Sequence, residues 1–289
     1  MDEMAWTTGS VAGKARTLRA LLARTLAEGP VGIACSGGLD SRLLAHLAAL
    51  TARAEGLALP LLAHLSGPHV PKAETASAVA WAGREGLALR LVALNPLEHP
   101  AVARNGRDRC YHCKKALFTA LTAALTEAFA GRRPCVCDGS NRSDRGGFRP
   151  GLRALAELGV RSPLDEAGLT KEDIRTLAVE SGLERPDQAA RPCLLTRFPY
   201  DTQPSLAALR MLEDMEARTE AILQSCLDEI PDFRIRATAS GGWMLQLGSC
   251  PDEVAAQILR ALGLRADQLV HTDHPSGYFD RQRVSGAEA

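Results

Sequence analysis

Along the first two-thirds of the chain, short apolar runs alternate with longer stretches whose apolar positions recur at helical spacing, the pattern of an α/β fold built on a mostly parallel sheet. Val31 to Cys35 is one such run, closed by Ser36, Gly37 and Gly38, and a helical pattern follows from about Ser41 to Glu55 with Leu43, Leu44, Leu47 and Leu50 on its apolar side. The unit repeats. Leu61 to Ser66 reads as a strand, Pro71 marks a helix start, and Ala73 to Glu85 reads as the helix. Leu89 to Leu94 gives a third strand, Tyr111 to Phe129 a long helix and Cys135 to Asp138 a fourth strand. Thr170-Lys171-Glu172-Asp173 has the spacing of a capped helix start, with the helix reaching Ser181.

The pattern breaks between Pro199 and Pro204, ahead of a charged amphipathic helix from about Ser205 to Leu227. The domain boundary is placed there. Residues 1–203 are expected to form the parallel-sheet domain, and residues 204–289 a smaller C-terminal α+β domain with strands at Phe233 to Arg236 and Trp243 to Leu247, a helix from Pro251 to Leu262 and a strand near Leu269.

Composition narrows the class. The chain has 289 residues, 46% hydrophobic, and the scarcity of aromatics (3 Trp, 3 Tyr, 6 Phe) means a core built from Ala, Leu and Val and few platforms for stacking bases. Lys plus Arg balance Asp plus Glu at 34 each, so no global field draws in a polyanion, which argues against a nucleic-acid partner. Arg19, Arg24 and Arg53 interrupt the apolar stretches before any reaches the roughly 18 residues of a membrane span. With an acidic start at Met1-Asp2-Glu3-Met4, the expectation is a cytoplasmic protein away from membranes. Eight cysteines are too few for a disulfide scaffold of this size and are read as core residues, metal ligands or reactive thiols.

Ser36-Gly37-Gly38-Leu39-Asp40-Ser41 lies between the first strand and its helix, where an α/β sheet places its ligand crevice. Two glycines let the backbone approach an anion, Ser36 and Ser41 offer hydroxyls, and the helix start aims N–H groups and a positive dipole end at a phosphate. It is neither a Walker A loop, whose lysine is missing, nor a dinucleotide fingerprint. The plain alternative is a tight strand-to-helix turn.

Cys110 and Cys113 form a C-x-x-C pair at a helix start, beside Arg109, Lys114 and Lys115, cations expected to favour the thiolate. Cys193, between Arg191 and Arg197, is a third candidate. Three thiols suit an iron–sulfur cluster with one open iron, whereas a closed zinc site needs a fourth ligand. Cys135 and Cys137 share one side of a strand and are read as core, although they could complete a Cys₄ zinc site; Cys35, Cys226 and Cys250 are read as packing. His112 is read as an exposed or packed ring. Arg149 and Arg153 either clasp phosphate or pair with surface acids.

The S-G-G-x-D-S string resembles the PP-loop of the adenine nucleotide α-hydrolase superfamily. RCYHCKKALF at 109–118, DGSNRSDRGGFRP at 138–150, LGVRSPL at 158–164, GLTKEDI at 168–174 and PCLLTRFPY at 192–200 narrow the resemblance to the LarE family, the ATP-dependent sacrificial sulfur transferases, over about residues 10 to 250. The resemblance implies a PP-loop ATP pyrophosphatase domain (adenine nucleotide α-hydrolase-like) followed by the smaller α+β domain. It implies that Ser36, Gly37, Gly38, Asp40 and Ser41 hold the pyrophosphate of ATP, with Asp40 helping to hold Mg²⁺. It also implies adenylation of a carboxylate on a nicotinate-derived mononucleotide, then sulfur insertion toward the nickel-pincer nucleotide. Cys193 is the sacrificial residue under one sulfur route; under the other, Cys110, Cys113 and Cys193 hold a [4Fe–4S] cluster, and the C-x-x-C pair favours the cluster. Arg197 and Glu216 are placed near the transfer site, Arg234 and Arg236 on the substrate phosphate, and the protein is expected to be a homo-oligomer. Ser143 and Gly147 stand where the family commonly carries acids, and Thr196 where it carries Ser. The rival readings are a PP-loop tRNA thiolase and a diverged nucleotide-binding protein with structural zinc.

Overall fold

The computed structural model describes residues 5–146, 149–188, 193–272, 275 and 277–282. In chain order its helices and strands begin with α1 (Ala12–Glu28), β1 (Val31–Ala34), α2 (Leu39–Ala54), β2 (Leu61–Ser66), α3 (Lys72–Arg84), β3 (Leu89–Ala93), α4 (Pro100–Ala103), α5 (Arg109–Ala128) and β4 (Cys135–Cys137). They continue with α6 (Pro150–Glu157), α7 (Pro163–Glu166), α8 (Lys171–Glu180), α9 (Leu206–Cys226), β5 (Phe233–Ala237), β6 (Trp243–Leu247), α10 (Asp252–Leu262), β7 (Leu269–His271) and α11 (Tyr278–Gln282). The chain divides into two compact units: Met1–His99 with Cys110–Arg191, and Pro100–Arg109 with Pro192–Ala289.

The first unit carries a four-stranded sheet in the order β3-β2-β1-β4, every pair parallel. Because β1, β2 and β3 step outward one way and β4 returns to the other side of β1, the strand order reverses between β1 and β4, where an open α/β sheet binds its ligand. Alternate strand residues feed two cores. Val31, Ile33, Leu62 and Cys137 face the larger cluster with Leu18 and Leu22 of α1 and Leu44 and Leu47 of α2. Ala63 and Val136 face the other, with Phe118, Leu121 and Leu125 of α5 and Leu155 of α6. Helix α8 starts on a capping box in which Thr170 and Asp173 satisfy each other's backbone, as its sequence predicts.

The second unit carries a three-stranded sheet, β5-β6-β7, with β5 antiparallel and β7 parallel to β6. Ser205 caps α9 by accepting from the Ala208 N–H at 3.1 Å. Among the described residues no helix is long and apolar enough to cross a membrane.

Candidate functional site

Just past β1 the chain turns on itself at the N-terminus of α2. The Ser36 N–H donates to Ser41 Oγ at 3.1 Å, and Ser41 Oγ donates to the Gly38 carbonyl at 3.0 Å. That commits the Ser41 proton, so Ser36 Oγ, 3.1 Å from Ser41 Oγ, donates across the loop while accepting the Gly38 N–H at 3.3 Å. Gly37 sits at φ +84°, a conformation that favours glycine. Gly38 occupies the cap position of α2 with no side-chain cap, so the positive end of the helix faces outward over the loop. Buried His64 approaches the Cys35 carbonyl with Nδ1 at 2.8 Å; a carbonyl only accepts, so the proton is on Nδ1.

A second loop braces the first. Gly139 lies so close to α2 that a Cβ there would come within 2.8 Å of the Ser41 nitrogen. Asn141 Nδ2 donates to Asp40 Oδ2 at 2.9 Å. Buried Asp138 accepts from the Ser140 and Ser162 hydroxyls, both at 2.6 Å, and holds the turn that presents Asn141. From the far side of the unit Gln188 Nε2 donates to the Gly37 carbonyl at 3.2 Å, while buried Arg42 donates to the carbonyls of Glu184 and Arg185 at 2.7 and 3.0 Å and so anchors the segment leading to Gln188. Burial, with Asp144 nearby, raises the Asp40 carboxyl above the ordinary aspartate value, against the opposing charges of Lys171 and Arg175 and the Asn141 hydrogen bond. Two carboxylates in one desolvated corner favour a hard cation with oxygen ligands, and Mg²⁺ fits the donors present.

The five loop residues singled out in the sequence therefore form one continuous structure. Arg42 and Gln188 carry no motif; the signal for Arg42 is a charge on the otherwise apolar face of α2. Arg149 meets half-buried Asp144 at 3.1 Å and Arg153 meets exposed Glu157 at 3.6 Å, and His112 packs against the His99 ring. Ser143, in place of an acid, accepts the Lys171 N–H at 3.2 Å.

Cys110 is half-buried and Cys113 buried, one turn apart on α5, and the cations beside them have other partners: Lys115 pairs with Glu157 at 2.7 Å and Lys114 lies 3.7 Å from Asp138. Arg109, buried, bonds Asn105 and donates to the Leu195 carbonyl at 2.9 Å, all three residues within the second unit. Each of the three cations beside the C-x-x-C pair thus also makes structural contacts of its own.

In the second unit half-buried Cys193 precedes the short turn Leu194–Arg197, whose Thr196 hydroxyl donates back to the Cys193 carbonyl at 2.7 Å. Arg197, 3% exposed, pairs with Glu216 of α9 at 2.7 Å and donates to Thr196 Oγ1 at 2.9 Å, so threonine supplies the hydroxyl that serine would. Arg234 and Arg236 alternate on β5 and are both buried. Arg236 donates to Gln246 at 2.6 Å and to the Thr196 carbonyl at 3.0 Å; burial, Arg197 and Arg234 together push it down to about 9. Arg197, Arg234 and Arg236 thus gather buried positive charge beside Glu216. Arg191, Pro192, Gly147 and Phe148 lie outside the described residues. Among the described residues no three His, Cys, Asp or Glu side chains gather at one point. Cys110 and Cys113 stand on the first unit and Cys193 on the second.

No family model matches the chain. It is 35% identical over 178 residues to an uncharacterized protein of Synechocystis, covering 62% of this chain and 64% of that one. An uncharacterized protein of Methanocaldococcus jannaschii is 32% identical over 184 residues, 64% of this chain and 67% of its own. The pyridinium-3,5-bisthiocarboxylic acid mononucleotide synthase of Lactiplantibacillus plantarum is 32% identical over 173 residues, 60% of each chain. The chain thus spans less than two thirds of the Synechocystis and Lactiplantibacillus proteins. Fold and loop define the class, an α/β protein with a glycine-rich turn at the strand-order reversal of its parallel sheet. Within that class, the chain is similar to the LarE family through the Lactiplantibacillus synthase.

Proposed function

We propose that this chain is an ATP-dependent sulfur transferase of nickel-pincer nucleotide biosynthesis, with a PP-loop ATP pyrophosphatase fold in its first unit. The observation that carries the reading is the wired Ser36–Ser41 loop at the open N-terminus of α2, with Asp40 beside it. In this reading Ser36, Gly37, Gly38 and Ser41 hold the β- and γ-phosphates of ATP, and Mg²⁺ at Asp40 supplies screening of phosphate charge. A carboxylate oxygen of a pyridinium mononucleotide attacks the α-phosphorus, the bond to the bridging oxygen breaks, and pyrophosphate leaves. The loop contributes position and charge neutralisation and needs no protein nucleophile.

Arg234 and Arg236 take the phosphate of the mononucleotide, and the Arg197–Glu216 pair fixes the turn that follows Cys193. In the sacrificial route the Cys193 sulfur displaces AMP as a thioester; loss of the Cys193 α-proton then breaks its Cβ–S bond, leaving dehydroalanine and a thiocarboxylate. In the other route Cys110, Cys113 and Cys193 hold a [4Fe–4S] cluster, which when bound supplies an open iron for exogenous sulfur. The relative named as a bisthiocarboxylic acid mononucleotide synthase supports the substrate class. We extend the proposal to a homo-oligomeric assembly.

The test incubates anaerobically purified protein with ATP, Mg²⁺ and pyridinium-3,5-biscarboxylic acid mononucleotide. Release of pyrophosphate with thiocarboxylate formation is expected, and none of either rejects the reading. Iron and labile sulfide lost in each of Cys110→Ser, Cys113→Ser and Cys193→Ser select the cluster; iron-free turnover that lightens Cys193 by one H₂S selects sacrifice.

A further inference from the structure

The sequence leaves Cys135 and Cys137 as core residues, and neither takes part in the function proposed above. Their surroundings are not those of inert core thiols. On β4 they stand opposite Val31 and Ile33 of β1, two residues apart and therefore on one face of the strand. Cys137 belongs to the main core, 1% exposed, while Cys135 packs on its margin and is half-buried. Strand β4 is an edge strand, paired along its length with β1 and touched on its other side through one bridge, Cys137 to Arg161. That bridge sets the Arg161 side chain beside the two thiols, where Thr25 at 2.7 Å and Glu166 at 3.1 Å fix it. The neighbouring Cys137 thiol and the positive charge of Arg161 together bring Cys135 down to about 7 despite its burial. The proximity of Cys135 and deeper burial raise Cys137. One sulfur is thus half-buried and biased toward the thiolate, and its neighbour on the same strand face is biased toward the protonated thiol.

We propose that Cys135 and Cys137 form a redox-modification site in which a hydroperoxide oxidises Cys135 and Cys137 resolves the product as a reversible disulfide. The Cys135 thiolate attacks the peroxide, the O–O bond breaks, and with one proton taken up the products are a sulfenic acid and water (or an alcohol). The Cys137 sulfur then attacks the Cys135 sulfur, its proton leaves with the hydroxyl as a second water, and the S–S bond forms. The peroxide gains two electrons and the two sulfurs lose one each.

Two residues along a strand place Cα atoms about 6.6 Å apart, near the upper end, roughly 6.8 Å, of the range a disulfide spans. Closure therefore puckers β4, which an edge strand with a ladder on one side can accept, and gives a labile bond suited to reversal. The pucker falls directly before Asp138 and Gly139, the turn that braces the phosphate loop.

The proposal is independent of the sulfur-transfer reading, and its test uses no activity. Reduced protein is treated with hydrogen peroxide and alkylated, and the tryptic fragment 133–142, which carries both thiols and no other cysteine, is weighed. In the unmodified protein the fragment should lose the mass of two hydrogens, resist alkylation and be restored by dithiothreitol, before exposed Cys226 is consumed. Cys137→Ser should stop at a Cys135 sulfenic acid that dimedone captures, and Cys135→Ser should leave Cys137 unreacted. A fragment still doubly alkylated once Cys226 is oxidised overturns the proposal, as does dimedone capture at Cys137 in Cys135→Ser.

Discussion

Asp40 is where function and stability oppose each other. Its carboxyl is raised by burial first and by Asp144 after, so the folded state holds the proton more tightly than the unfolded chain does. The stability this contributes is complete below the unfolded value, near 3.8, and is lost as pH rises through the folded one. At neutral pH the charge is therefore carried at a cost. Asp40→Asn keeps the shape and the contact to Asn141 and removes that cost. It is expected to unfold at higher urea than the parent at pH 7, with the gap closing below about pH 4, while pyrophosphate release falls about 10²- to 10³-fold. A variant that is less stable at pH 7, or that releases pyrophosphate at the parent rate, contradicts the role given to Asp40. The same residue shows what sequence conveys at this scale. A glycine pair, two hydroxyls and an acid between a strand and a helix announce an anion site because each type has a local reason to be there. Arg42 and Gln188 stay silent, since their partners, the Glu184, Arg185 and Gly37 carbonyls, lie more than 140 residues away in sequence.

At the scale of elements, the strands and helices around the loop are legible because period two and period 3.6 separate cleanly there: β2 and β6 have the predicted bounds, and α2, α3, α5, α9 and α10 begin and end within two residues of them. Helix α1 is not legible. Arg16, Arg19 and Arg24 interrupt its apolar positions, although Ala15, Leu18, Leu22 and Leu26 form a buried stripe once the helix is drawn. The close approach of the 138–141 turn to α2 is likewise a fact of packing, visible in sequence as nothing more than a glycine. It yields a prediction specific to that contact. In Gly139→Ala the new methyl meets the backbone of Asp40 and Ser41 at 2.8 to 3.0 Å, where no side chain can swing away. The turn must retreat and take Asn141 from Asp40. A loss of about 1–3 kcal/mol in stability is expected, together with weaker ATP binding measured by calorimetry. Gly146→Ala, with nothing within 4 Å of its added Cβ, serves as the control. Equal behaviour of the two variants contradicts the bracing role.

For the whole molecule, the division into units crosses the sequence order. Residues 100–109 join the second unit although the first resumes at Cys110. They are tied there by the Asn105 side chain donating to the Pro199 carbonyl at 2.7 Å, and by the Asp201 N–H donating to the Asn105 carbonyl at 3.1 Å. No local pattern reports such a tie, because it pairs segments nearly a hundred residues apart. The two candidate sites fall on different units: the phosphate loop on the first, the buried arginines of β5 on the second. Ligands should therefore protect different amides. A ligand at 100 times its Kd stabilises the state that binds it by about 2.7 kcal/mol, which is roughly a hundredfold slowing of exchange through unfolding of that state. Hydrogen exchange with ATP and Mg²⁺ is expected to slow the amides of β1 and β2 by that factor and leave β5 and β6 unchanged. Inorganic phosphate, too small to carry the nucleotide contacts, should slow β5 and β6 through Arg234 and Arg236. If ATP slows all four strands equally, the units unfold as one block and the division carries no energetic meaning. If ATP slows β5 and β6 alone, the nucleotide is not held by the Ser36–Ser41 loop.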